Sequence, residues 1–334
     1  MKHKLTVLAA TAAIALGGTT ARAQDDFTIQ LKWVTQAQFA GYFVALEKGF
    51  YDEAGLNVTI KPGGPDIAPP QVIAAGGADV VVEWMPAALA ARERGVPMVN
   101  VAQFFNRSGM MLTCLRESGI AEPQDFAGKT LGVWFFGNEY PFLSWMSRLD
   151  LATTGADADL TVLRQGFNVD PILDGQADCI STMIYNEYWQ VIDAGVPADE
   201  LVTFFYEDEG VATLEDGLYA SEDSLQDPAY VDKLSRFIAA SVRGWQYAID
   251  NVEEAAGIVV EADPAGVATM AIQLRQMGEI AKLLPGSSKG LGYLEPAAYE
   301  RTVEVLMSGA SDPVITATPD GAWTHGPWEK AMGM

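Results

Sequence analysis

The chain has 334 residues, of which 49% are hydrophobic and 19% charged, and it carries a formal net charge of −23. That apolar fraction is ample for one or two buried cores, and two α/β lobes fit the length. A surface this acidic repels nucleic acid and anionic lipid, which excludes both as main partners.

Residues 1–23, MKHKLTVLAATAAIALGGTTARA, place Lys2 and Lys4 before a short Ala/Leu-rich stretch and small residues at Ala21 and Ala23. This is the pattern of a secretory signal peptide cleaved after Ala23, and the apolar run is too short to span a bilayer. No Cys follows the run to take a lipid, so the mature protein is expected free in a bacterial periplasm or an equivalent exported space. Losing Lys2, Lys4 and Arg22 leaves 18 basic against 44 acidic residues, a net −26.

From there strands and helices alternate. FTIQLKW (27–33) alternates as a strand, 39–54 has helical spacing and stops at Gly55, and NVTIKP is a second strand. A short helix over 69–75, the strand ADVVVE, a helix over 86–94 stopped by Gly95, and the strand PMVNVAQFF follow. The pattern then restarts: MMLTCLR is extended, TLGVWFF a strand, 139–151 a helix, DLTVLR a strand, 170–174 a short helix, ADCIST a strand and 188–194 a helix. Extended segments LVTFFYEDEG and VATLEDGLYAS precede an almost wholly helical stretch over 228–307. Repetition of this βαβ kind predicts mostly parallel sheets covered on both faces. The predicted fold is therefore α/β with two hinged lobes: 24–112 with 213–334 as one, 113–212 as the other, and crossings near 110–116 and 204–218.

The scarce residues limit the chemistry. His3 leaves with the signal, so the mature chain keeps His325 alone. A His-dependent triad or multi-His metal site is not expected, and neither a cofactor nor a metal is. Cys114 and Cys179 lie in apolar strand-like runs and read as small buried hydrophobes; whether they pair is left open.

Several stretches carry a resemblance: LKWVTQAQFAGYFVALEKGFYDEAGLNVTIKPGG, VVVEWMPAALAARERGVPMVNVA, GKTLGVWFFGNEYPFL and GQADCISTMIYNEYWQ. Through them the mature chain resembles the periplasmic substrate-binding proteins of ABC importers, in the branch of the thiamine-pyrimidine precursor binders and their riboflavin-binding relatives. The resemblance implies a two-lobe periplasmic binding protein fold and a monomer that closes on a small aromatic heterocycle and passes it to a membrane permease. It also implies that the chain is not an enzyme, because the Cys-rich motif and active-site histidine of the related eukaryotic pyrimidine synthases are missing here. A pyrimidine-precursor synthase and a ligand-sensing module are the readings from other classes.

In open parallel sheets, ligands sit beyond the carboxyl ends of strands. Applied to the predicted strands, that rule selects Trp33; Glu83 and Trp84; Asn138, Glu139 and Tyr140; and Tyr185, Asn186 and Glu187. Each turn pairs an aromatic plate with an amide or carboxylate, which suits a flat nitrogen heterocycle. Stacking contributes roughly 0.5–1.5 kcal/mol per ring, and a carboxylate accepting from an N–H edge about 1.5–3 kcal/mol. Trp33, Phe39 and Tyr42 are candidates for the opposing wall, with at least one helix-face ring expected in the core. Phe135 and Phe136 are expected in the core. Gly63 and Gly64 read as a turn, and as the place to look for a phosphate or formyl group on the ligand. Glu207, Asp208 and Glu209 read as mostly solvated, with one reaching the cleft.

Overall fold

The computed structural model of the protein describes residues 24–308 and 313–334, so the signal peptide expected over 1–23, with its cleavage after Ala23, lies outside the described residues. Ten strands follow in chain order: β1 (Asp25–Gln30), β2 (Leu56–Lys61), β3 (Val80–Glu83), β4 (Met98–Gln103), β5 (Met110–Leu115), β6 (Thr130–Val133), β7 (Thr161–Arg164), β8 (Cys179–Met183), β9 (Leu201–Phe205) and β10 (Gly217–Ser221). They form two five-stranded sheets, ordered β2-β1-β3-β10-β4 and β7-β6-β8-β5-β9. The sheets share one design. In each, the strand that arrives from the other sheet, β10 or β5, lies second from an edge and runs antiparallel to both neighbours, while β1 with β2 and β3, and β6 with β7 and β8, pair in parallel.

The all-apolar start of β3 and the whole of β8 are buried, as strands covered on both faces must be. The helix Pro228–Asp250 backs the first sheet and crosses the helix Ala40–Glu47 at a glycine contact. A Cβ on Gly41 would fall 2.1 Å from the Trp245 ring, and one on Gly244 would fall 2.1 Å from the Gly41 carbonyl oxygen, so neither position accepts a side chain. Among the described residues, no helix is long and apolar enough to cross a membrane.

One expectation is corrected, and one question left open by the sequence is answered. The stretch 110–116 is not a crossing: β5 belongs wholly to the second sheet, paired with β8 and β9. The division expected at 112/113 therefore falls inside a strand, and the chain passes between sheets over 104–109 and 206–216. The cysteines are not separate apolar residues. Cys114 lies opposite Cys179 in the β5–β8 pair, and the two form a disulfide. Beside them the Leu115 N–H donates to the Asp178 carbonyl at 3.0 Å, which marks a non-hydrogen-bonded position, where facing side chains approach most closely.

Glu215 joins the two crossings. Its Oε1 accepts from the Ser108 hydroxyl at 2.5 Å and from the Gly109 N–H at 3.1 Å, while Glu207 Oε1 accepts from the Ser108 N–H at 2.7 Å. Glu207 is thus a structural acceptor, and none of Glu207, Asp208 and Glu209 lines the cleft between the sheets.

Candidate functional site

A cavity of about 1080 Å³ lies beyond the carboxyl ends of β1, β3, β6, β7 and β8, with walls from both sheets. It is at the upper end of the range for small-molecule sites. Trp33, Glu83, Trp84, Asn138, Glu139, Tyr140, Tyr185, Asn186 and Glu187 all line it. The strand-to-turn geometry that selected them in sequence brings them together across the two sheets.

Tyr42 does not join them. It is 1% exposed, with its ring packed edge-on to Phe104 and Trp245 and parallel to Phe237, inside the first core. Its helix buries six of eight residues, so no face of it is left for a cavity. Phe39 is likewise fully buried and away from the lining. Phe135 and Phe136, expected in the core, instead face the cavity, and Phe136 is 73% exposed. Gly64 lines the cavity but Gly63 does not: its N–H donates to the Trp33 carbonyl at 2.8 Å, and a Cβ there would fall 2.3 Å from the Leu31 carbonyl oxygen.

On the first-sheet wall, Glu83 is 2% exposed and forms an ion pair with Lys32; its Oε1 also accepts from the Trp84 N–H at 2.8 Å. Lys32 lies 5.3 Å from the centre of the Trp84 ring. Behind them, outside the lining, the buried Asp216 accepts from Trp84 Nε1 at 3.2 Å and from Gln38 Nε2 at 2.8 Å, fixing both side chains. Burial pushes the Asp216 carboxyl up to about 7, against the opposing pull of Gln38 and Lys32.

The second-sheet wall uses one device twice. Asn-Glu-Tyr stands at 138–140 after β6 and again at 186–188 after β8. In each, the glutamate bonds back to the turn that precedes its helix: Glu139 Oε2 accepts from the Gly137 N–H at 2.7 Å, and Glu187 Oε2 from the Met183 N–H at 2.9 Å. Asn186 Nδ2 donates to Glu187 Oε1 at 2.6 Å, whereas Asn138 Nδ2 donates to the Phe135 carbonyl at 3.0 Å, leaving the buried Asn138 Oδ1 with no partner. Burial raises both carboxyls, Glu187 to about 7; the backbone N–H groups of Met183 and Glu187 and the Asn186 amide oppose this at Glu187, and the backbone N–H groups of Glu139 and Gly137, then Lys32 and Arg164, oppose it at Glu139. A buried acceptor and two carboxyls of adjustable protonation can read the donor edge of a heterocycle whose faces meet Tyr185, Trp84 and Tyr140.

Lys32, Gln38, Arg164 and Asp216 were missed in the sequence reading. For Arg164 the signal was present, since it closes the predicted strand DLTVLR; Lys32 stands inside the predicted strand FTIQLKW, whereas β1 ends at Gln30. At the mouth, Trp33 from one sheet touches Phe167 from the other, with ring centres 4.8 Å apart. Among the described residues the lining contains no histidine, cysteine, serine or threonine, and no group of side chains suited to hold a metal ion occurs.

The family model described as NMT1/THI5 like matches residues 36–255. The chain belongs to this family. It is 25% identical over 253 residues to the formylaminopyrimidine-binding protein of Halalkalibacterium halodurans, covering 71% of each chain. It is 24% identical over 295 residues to the riboflavin-binding protein RibY of Chloroflexus aurantiacus, covering 85% of this chain and 81% of that one. A 4-amino-5-hydroxymethyl-2-methylpyrimidine phosphate synthase of Legionella pneumophila is 27% identical over 249 residues, 71% of this chain and 73% of the synthase. Among solved structures, the periplasmic aliphatic sulphonate binding protein SsuA of Escherichia coli superposes with a TM-score of 0.63 at 12% identity, over 84% of this chain and 85% of that one. That likeness establishes the two-sheet periplasmic binding protein fold.

Proposed function

We propose that the protein is a periplasmic receptor that binds an aminopyrimidine-like thiamine precursor and delivers it to the permease of an ABC importer. The observation that carries this reading is the pair of Asn-Glu-Tyr turns facing Trp84 and the Lys32–Glu83 pair across one cavity. Buried carboxyls supply in-plane acceptors for ring N–H and amino groups, and the aromatic residues supply faces. Two stacked rings and two charge-assisted bonds, less the cost of closing the lobes, support binding of about −8 kcal/mol, a micromolar Kd.

The two lobes are residues 24–103 with 217–334, and residues 110–205, turning about the joined crossings; the receptor acts as a monomer. Binding without chemistry fits a lining that, among the described residues, offers no thiol, serine or threonine hydroxyl, or imidazole. The synthase reading requires an essential His325 or cysteine, but His325 lies outside the cavity, stacked on Tyr293 with ring centres 4.2 Å apart and Nε2 2.9 Å from the Leu294 carbonyl oxygen, and Cys114 and Cys179 are joined in a disulfide away from the lining. A second reading, riboflavin as cargo, is favoured by the 1080 Å³ volume, more room than one pyrimidine ring fills.

Thermal-shift screening of the mature protein against hydroxymethylpyrimidine, formylaminopyrimidine, thiamine and riboflavin tests this. A ligand of the native state raises the melting temperature with its concentration. An aminopyrimidine is expected to give the largest shift; riboflavin alone doing so selects the second reading, and no shift with any of the four refutes both.

A further inference from the structure

The cleft contains a cation that the pyrimidine reading does not use. Arg164, the last residue of β7, lines the cavity and, among the described residues, neither bonds nor ion-pairs with any side chain or carbonyl. In a chain with 44 acidic residues, its charge reaches only Glu139, whose ionised form it favours without forming an ion pair. Arg94 is the other lining cation without an ion pair, but no aromatic ring supports it. Arg164 is held by two: its guanidinium carbon lies 5.0 Å from the centre of the Phe135 ring and 4.7 Å from that of Phe136.

Phe136 bears two costs to be there. It has φ +65°, a region that bulky residues rarely enter, and its side chain is 73% exposed. Backbone strain of about 1–3 kcal/mol persists where surrounding structure imposes it, typically at binding sites. The contact obtained is the stack on Arg164. Stacking occupies the face of a guanidinium and leaves its in-plane N–H donors free, the geometry that takes a carboxylate or phosphate in a two-pronged bond. Phe135, Phe136 and Phe167 line the cavity beside it.

We infer that the cargo carries an anionic oxygen group, carboxylate or phosphate, which Arg164 binds near the mouth while the heterocycle sits against the Asn-Glu-Tyr turns. The inference rests on the proposed heterocycle receptor and narrows its ligand to an acidic derivative.

The test uses isothermal titration of the mature protein with hydroxymethylpyrimidine, its phosphate ester and the corresponding 5-carboxylic acid, and with riboflavin and its 5′-phosphate. At least one anionic member is expected to bind at least tenfold more tightly than its neutral parent, and which one identifies the group. Arg164→Gln is expected to reduce that preference to threefold or less, with Arg164→Lys intermediate. If wild-type protein binds the neutral parents as tightly as every anionic form, the inference is overturned and the receptor reading stands. A preference that survives Arg164→Gln removes Arg164 from the role. Binding of none of the five removes the receptor reading and the inference with it. The wild-type comparison decides even if a variant fails to fold.

Discussion

Replacing Glu215 by glutamine should flatten the pH dependence of stability. Glu215 is fully buried at the joined crossings, and burial pushes its carboxyl up to about 8, with Asp216 and Glu207 adding repulsion to outweigh the bonds from Ser108 and Gly109. In the unfolded chain the same group titrates near 4.5. Between those values the folded protein holds a proton that the unfolded chain has released, so stability is highest below pH 4.5 and falls as pH rises toward 8. At about 1.36 kcal/mol per unit, the loss from this one group is on the order of 5 kcal/mol, a large part of the roughly 5–15 kcal/mol available to a native protein. Asp216 and Glu187, raised by burial to about 7, act in the same direction over pH 4 to 7. Asp232, held low by Lys330 and Arg236, opposes them only at more acid pH, which puts the stability maximum at about pH 4. Scanning calorimetry from pH 5 to 8.5 is expected to show the melting temperature falling by roughly 5–10 °C. Glu215→Gln keeps an oxygen for Ser108 and Gly109 and cannot ionise, so its fall should be visibly smaller. Parallel wild-type and variant curves would refute the assignment of a buried proton to Glu215.

Three further outcomes are expected. Glu187→Gln exchanges a charged acceptor for an amide at the second Asn-Glu-Tyr turn and should weaken binding of an aminopyrimidine at least tenfold, about 1.4 kcal/mol, by titration calorimetry at pH 8. Tyr42→Phe touches only the first core, so its Kd should stay within twofold of wild type. Reducing the Cys114–Cys179 disulfide, or replacing both residues by alanine, releases a cross-link between positions 65 apart and should cost about 2–4 kcal/mol in urea unfolding, with ligand affinity retained because neither residue lines the cavity.

What the sequence discloses about this protein follows from the range over which each signal acts. Strands such as β3 and β8 are legible because apolar runs bounded by Gly, Pro and turn residues are local, and the rule placing ligands at strand carboxyl ends then gathers Glu83, Trp84, Glu139 and Glu187 without any knowledge of their distances. Tyr42 fails because the rule has no purchase inside a helix buried all round: AGYFVALE has no polar stripe to say which ring faces outward. Phe136 fails for the opposite reason. An apolar residue at a strand end reads as core unless its backbone is known to turn to φ +65° and present the ring to Arg164. Pairings set by register are the least accessible. The disulfide exists because β5 runs antiparallel beside β8 and places Cys114 opposite Cys179, and the Lys32–Glu83 pair exists because β1 and β3 are neighbours. Neither adjacency is written within any short stretch of chain. The same holds for Glu215 and Asp216, which in LEDGLY look like the solvated acids around them. Consecutive in sequence, they bond into different structures, one holding the crossings together and the other fixing Trp84 and Gln38.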